Sequence, residues 1–96
     1  MFNKFAERRK MAKLKKSPAA EQAEMVQRNI YSVAALCGCR TNRDIAERIG
    51  LSHVTITNRE NNPASWRLDE LIRVSNAFGC SLGWLLTDHR KENRDG

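Results

Sequence analysis

No apolar run in this chain approaches the roughly 18–20 residues that a membrane-spanning helix requires, and the basic N-terminus lacks the h-region of a secretory signal. A cytoplasmic protein is the expectation. Cysteine is scarce and odd in number. Cys37, Cys39 and Cys80 cannot all pair, and a C-x-C step with one remote cysteine lacks both the C-x2-C spacing and the fourth ligand of a structural zinc site. They read as space-filling buried or loop thiols, with redox sensing or metal binding as the alternatives. The two histidines add no ligand set, because His53 falls within a short helix and His89 beyond the last one. Also missing are a Gly-rich phosphate loop, a Ser/His/Asp or Cys/His arrangement with supporting context, and acids paired at catalytic spacing. The expectation is a protein with no enzymatic activity, no metal and no cofactor.

What is present begins with charge. The chain has 96 residues, enough for one ordinary domain, and a net charge of +6. Residues 1–16 carry Lys4, Arg8, Arg9, Lys10, Lys13, Lys15 and Lys16 against Glu7 alone, while acidic and basic side chains balance over the rest. A cationic arm is therefore joined to a neutral body. Such an arm suits a phosphate backbone, where each neutralised phosphate releases counterions at about 0.9 units of log–log salt slope. The alternatives are an inert solubilising tail, or a surface helix for a membrane or protein partner with Phe2, Phe5, Met11 and Leu14 as a ragged apolar side.

Ser17-Pro18 signals a helix start, and Ala19, Ala23, Val26, Ile30, Val33, Ala34 and Cys37 follow at helical spacing. The predicted helix of about twenty residues ends at Gly38. Thr41 and Asp44 have the S/T-x-x-acid spacing that opens a second helix, in which Ile45, Ala46 and Ile49 form one apolar stripe. Gly50 ends it, since glycine accepts a left-handed backbone past a helix terminus. Ser52 is a good N-cap for a third helix that turns Ile56 inward and leaves His53, Val54, Thr55, Thr57 and Asn58 over. Asn61-Asn62-Pro63 makes a turn, with Asn62 tolerant of positive φ. A fourth helix is predicted from about Arg67 to Phe78, and Ser81 caps a short fifth. The expected core is Leu68, Leu71, Ile72, Phe78, Leu82, Leu85 and Leu86 against Ile30, Val33, Ile45, Ile49 and Ile56.

The segment TNRDIAERIGLSHVTITNREN (41–61) resembles the helix-turn-helix of the phage repressor group, the Cro/CI or XRE-like regulators. The match takes in Thr41, Ile45, Ala46, Glu47, Ile49, Gly50, Ser52, Thr55, Ile56, Glu60 and Asn61. LDELIRVSNAFGCSLGWLL (68–86) is similar to the two helices that close that fold. The resemblance implies an all-α, five-helix lambda-repressor-like domain over residues 18–88, between a basic arm (1–17) and a polar tail (89–96). It also implies a sequence-specific transcriptional regulator, a repressor of phage or mobile-element type, bound to a pseudo-palindromic operator on double-stranded DNA as a homodimer. With no room for the C-terminal domain of the larger phage repressors, the chain reads as a Cro-sized protein or an isolated DNA-binding domain.

In that docking pose the second helix of the motif enters the major groove. His53, Val54, Thr55 and Asn58 then become base readers: Asn58 suits a bidentate pair with adenine and Val54 a thymine methyl. Asn42, Arg43, Ser52, Arg59, Asn61 and Arg67 become backbone contacts, with Arg40 close enough to assist. Two departures from the family stand out. Arg59 occupies a usually apolar position, so either its stem packs while its head snorkels toward phosphate, or this end of the helix is less buried. Glu60 lacks the first-helix arginine that relatives provide, Ala35 standing there, so Arg28, Arg40 or nothing would pair with it. Trp84 lids the core or sits at a dimer axis, and the extra first turns of helix one project from the domain, holding the arm off or meeting another subunit. The alternative function is an antitoxin or adaptor that uses the same fold to hold a protein partner.

Overall fold

Five α-helices and one 3-10 turn follow each other in the computed structural model, which describes residues 17–90. The basic arm and residues 91–96 of the expected tail lie outside the described residues. Helix α1 runs Pro18–Leu36, α2 Asn42–Ile49, α3 His53–Asn61, the 3-10 turn Pro63–Ser65, α4 Leu68–Phe78 and α5 Leu82–Leu85. Among the described residues there is no strand, and no helix is long and apolar enough to cross a membrane.

The helix boundaries follow local chemistry. Ser17 Oγ accepts the Ala20 N–H, and Pro18 occupies the first helical position, where an N–H would have no partner. Thr41 and Asp44 close a reciprocal box on α2, each side chain accepting from the other's backbone N–H, while the Arg40 N–H also bonds to Asp44 at 2.9 Å. That Arg40 N–H, with the Thr41 bonds, holds the Asp44 carboxyl below its ordinary pKa, against the opposing effect of desolvation. Gly50 ends α2 at φ 79°, and a Cβ there would also meet Arg73 Nη1 at 3.0 Å. The same arginine donates to the Ile49 carbonyl, satisfying an end-of-helix acceptor from a neighbouring element.

Helix α2 packs on α3 and α4, and α1 lies across the 3-10 turn, α4 and α5. Ile30, Ile45, Ile49, Ile56, Leu71, Phe78 and Leu85 meet in one core with Met25, Val26, Val33, Ala34 and Val74. Each large aliphatic withdrawn from water there contributes about 1.5–3 kcal/mol. No residue in the first two turns of α1 is fully buried, although Ala20 and Ala23 are half-buried and Gln22 donates to the Leu86 carbonyl at 3.3 Å; the fully buried stripe starts at Met25. Asn29, itself buried, donates to the Leu85 and Thr87 carbonyls at 2.8 Å and so ties the end of the four-residue α5 to α1. Trp84 is half-buried against the core with His89 stacked on it, ring centroids 4.1 Å apart. The three cysteines are free and half-buried at helix ends, packed against the core.

Three expected core residues face solvent instead: Leu68 is 63% exposed, Ile72 42% and Leu86 42%, and Leu82 is only half-buried. On α4 the cause is rotation. Glu70 turns inward to meet Arg59, which brings Leu71, Val74, Ser75 and Phe78 into the core. Leu68 and Ile72 then lie roughly 160–200° around from Glu70 at about 100° per residue. Asn62 also departs from expectation: its φ is −142°, so the turn after α3 is made without a left-handed residue.

Candidate nucleic-acid interface

Helix α3 has one buried residue, Ile56, and three kinds of side chain arranged around it. At about 100° per residue, Val54, Asn58 and Asn61 fall on a single stripe nearly opposite Ile56. Thr57 and Glu60 flank the core contact on one side, and Arg59 flanks it on the other.

The stripe is open. Val54 is 56% exposed, and Asn58, Asn61 and the adjoining His53 are exposed as well. The side chains of Val54 and Asn58 point away from the body at the spacing that lets both meet one surface. Thr55 differs from its neighbours: it is half-buried, its backbone N–H and its hydroxyl both engaged with the Ser52 hydroxyl, at 3.1 and 2.9 Å. It belongs to the cap of α3 as well as to its surface. Ser52, the N-cap, is exposed at the same end, where the first N–H groups of the helix attract anions.

The flanks are bonded to the body, with Glu60 still exposed. Arg59 forks onto Glu70, its Nε and Nη2 each 2.8 Å from a carboxylate oxygen, and Glu70 also accepts the Arg67 N–H at 2.9 Å. The Arg59 hydrogen bonds, reinforced by the Arg67 N–H and outweighing desolvation, hold the Glu70 carboxyl below its ordinary pKa. The Arg59 side chain is 19% exposed, and its head, rather than turning toward a phosphate, meets a carboxylate inside the protein. On the other flank Asn42 Nδ2 donates to Glu60 Oε1 at 2.9 Å and to Thr57 Oγ1 at 3.3 Å, while Asn42 Oδ1 accepts from the Tyr31 hydroxyl at 2.9 Å. Glu60 thus finds an amide, where Arg28, Arg40 or no partner was expected. Burial, with the Glu60 charge adding to it, raises the Tyr31 hydroxyl pKa above its ordinary value.

Of the remaining backbone candidates, Arg43 is exposed, and Arg67 pairs with Asp69 at 3.4 Å with both side chains about two-thirds exposed. Such a pair gives way readily to a better anion. The basic arm residues Lys4 to Lys16 lie outside the described residues. Between residues 17 and 90 every basic side chain is an arginine, and acidic side chains match them in number. The described body therefore offers directional, planar donors against no net charge.

Three contributors to this geometry were not singled out from sequence: Tyr31, Glu70 and the bonding role of Thr57. Glu70 carried a signal, since it stands three residues after Arg67 at the predicted start of α4, the place from which an acid reaches back to the N-cap N–H. Tyr31 carried none, because a tyrosine beside an apolar stripe reads as partial burial alone.

Residues 40–85 match a family model described as helix-turn-helix. No curated protein and no solved structure matches the chain. The matched residues take in the capped α2, the glycine corner at Gly50 and the half-exposed α3. Residues 40–85 are thus a DNA-binding helix-turn-helix of the XRE-type, Cro/CI-like family.

Proposed function

We propose that the chain is a sequence-specific double-stranded DNA-binding repressor of phage or mobile-element type, folded over residues 18–88 and reading the major groove with α3. The observation that carries this reading is the open Val54–Asn58–Asn61 stripe on a helix whose other sides are committed to the protein. A side chain without an internal partner is free to be specific about an external one. His53, Val54, Thr55 and Asn58 meet base edges, Asn58 as a bidentate partner for adenine. Arg43, Ser52, Asn61 and Arg67 meet phosphates. Asn42 leaves the phosphate set, and Arg59 contributes at most the nitrogen that Glu70 does not hold. The arm supplies the long-range attraction that the neutral body lacks. A homodimer reads a pseudo-palindrome with half-sites about 34 Å apart.

The test is binding of the full chain to random DNA and to sites selected from random DNA across a salt series. Binding to neither at low salt sinks the regulator reading. Removal of residues 1–16 is expected to weaken binding on all sequences alike and to flatten the log–log salt slope by about 0.9 for each phosphate that the arm neutralises. An unchanged slope would make the arm an inert tail. The second reading, an antitoxin or adaptor, is favoured by Leu68 and Ile72, two exposed apolar side chains one turn apart on α4. Co-purification of a protein partner that occludes α4, with no DNA bound, would establish it.

A further inference from the structure

Helix α3 is anchored by a single buried side chain, Ile56. One apolar contact resists separation but not rotation, because dispersion and burial have no direction. Side-chain tips lie about 5–6 Å from a helix axis, so a rotation of about 20° moves them by about 2 Å. That displacement is enough to lose a hydrogen bond to a base edge. Something directional must therefore set the rotation of α3 if Asn58 is to meet the same atoms every time.

Two directional devices flank Ile56. One is the Arg59–Glu70 fork to α4. The other runs through Asn42: its oxygen accepts from Tyr31 on α1, and its nitrogen, with two N–H groups, serves Glu60 and Thr57 on α3. Every polar atom of the Asn42 amide is thus engaged within the protein, and three helices meet on it. Thr57 and Glu60 are three residues apart on α3, so both lie on the side that faces α2.

We propose that Asn42 is a positioning residue for α3, which with Tyr31 sets the rotation of the reading helix and makes no DNA contact of its own. The proposal rests on the reading of α3 as the base-reading helix, and it assigns the selectivity of α3 partly to residues that never reach the duplex. Tyr31 is the sharper probe. Its hydroxyl donates to Asn42 and also faces Glu60 and Gln27, it is half-buried on α1, and Tyr31→Phe keeps its packing while removing the hydroxyl from this cluster.

The experiment compares Asn42→Ala and Tyr31→Phe with the unaltered chain in two assays, with thermal melts to verify folding. Competition among a selected site and its single-base-pair variants should show both substitutions lowering discrimination at the same base pairs by about tenfold, with random-DNA affinity and salt slope unchanged. If Asn42→Ala instead weakens binding equally on every sequence while Tyr31→Phe behaves as the unaltered chain, Asn42 is a phosphate ligand and the proposal fails. In the protein without DNA, amide hydrogen exchange over 57–61 should quicken about tenfold in both variants relative to α4. Unchanged exchange there overturns the lock. Failure of the unaltered chain to bind any DNA would remove the DNA reading alone, because the exchange measurement still decides whether Asn42 and Tyr31 hold α3.

Discussion

The two halves of α3 differ more from each other than their sequences suggest. Val54, Asn58 and Asn61 on its outer side stand in solvent, as does His53 at its start, whereas Thr57, Arg59 and Glu60 on either side of Ile56 are each bonded to another helix. Both sets are mostly polar and share one buried isoleucine. The difference shows that polarity alone does not mark a ligand-facing residue: what marks it is the lack of a partner at home. The same contrast explains how so short a helix presents a defined surface. Its committed half holds the helix in place, and its uncommitted half is left to choose a partner.

Breaking the committed half should cost most. Arg59→Ala leaves Glu70, whose side chain is only 7% exposed, without the fork that compensates its burial. Losing one partner of a buried pair costs about 3–5 kcal/mol, and the partly exposed arginine places this case near the lower end. Denaturant unfolding would show it as a lowered midpoint; a midpoint within error of the unaltered chain would make the ion pair ornamental. In the uncommitted half, Asn58→Ala should leave the unfolding midpoint nearly unchanged but remove about 1–3 kcal/mol of discrimination at one base pair. Equal loss at all base pairs would mean that Asn58 reads nothing.

Ser52→Ala tests the seam between the halves. Its hydroxyl caps Thr55, so about 1 kcal/mol of stability should go, together with the order of the first turn. Acid addresses the committed half again. Because Glu70 has a folded-state pKa below its unfolded value, its contribution is fully present above the unfolded value of about 4.3 and is lost as pH falls through the folded one. Stability measured from pH 6 downward should therefore decline below about pH 4.5, and less steeply in Glu70→Gln, which starts from lower stability. The smallest effect belongs to Val54→Ala. With the residue already 56% exposed, thermal stability should barely move, and only preference at a thymine-bearing position should weaken.

Much of this is legible in the residues. Ser17-Pro18, the Thr41/Asp44 spacing, Gly50, Ser52, Gly79 and Ser81 punctuate helices by local chemistry, and the helices begin and end where these residues place them. The exposed face of α3 is legible for the same reason, since Ile56 is its one well-placed apolar residue. The rotation of α4 is not. Leu68 and Ile72 fit an apolar stripe as well as Leu71 and Val74 do, and the choice between them turns on Glu70, whose partner is eleven residues away in a different helix. Asn42 is opaque on similar grounds: an amide at a helix start gives no sign in the sequence of the Tyr31, Thr57 and Glu60 groups that bond to it in the fold.

By itself, then, the amino-acid order determined where each helix starts and stops, the neutral body and cationic arm, and the helix-turn-helix, because caps, glycine corners and charge act over a few residues. Only the tertiary structure decided which polar side chains remain available. Tyr31 with Asn42 and Glu60, and Arg59 with Glu70, become partners when packing brings separate helices together, and directional bonds form only between groups already within about 3 Å.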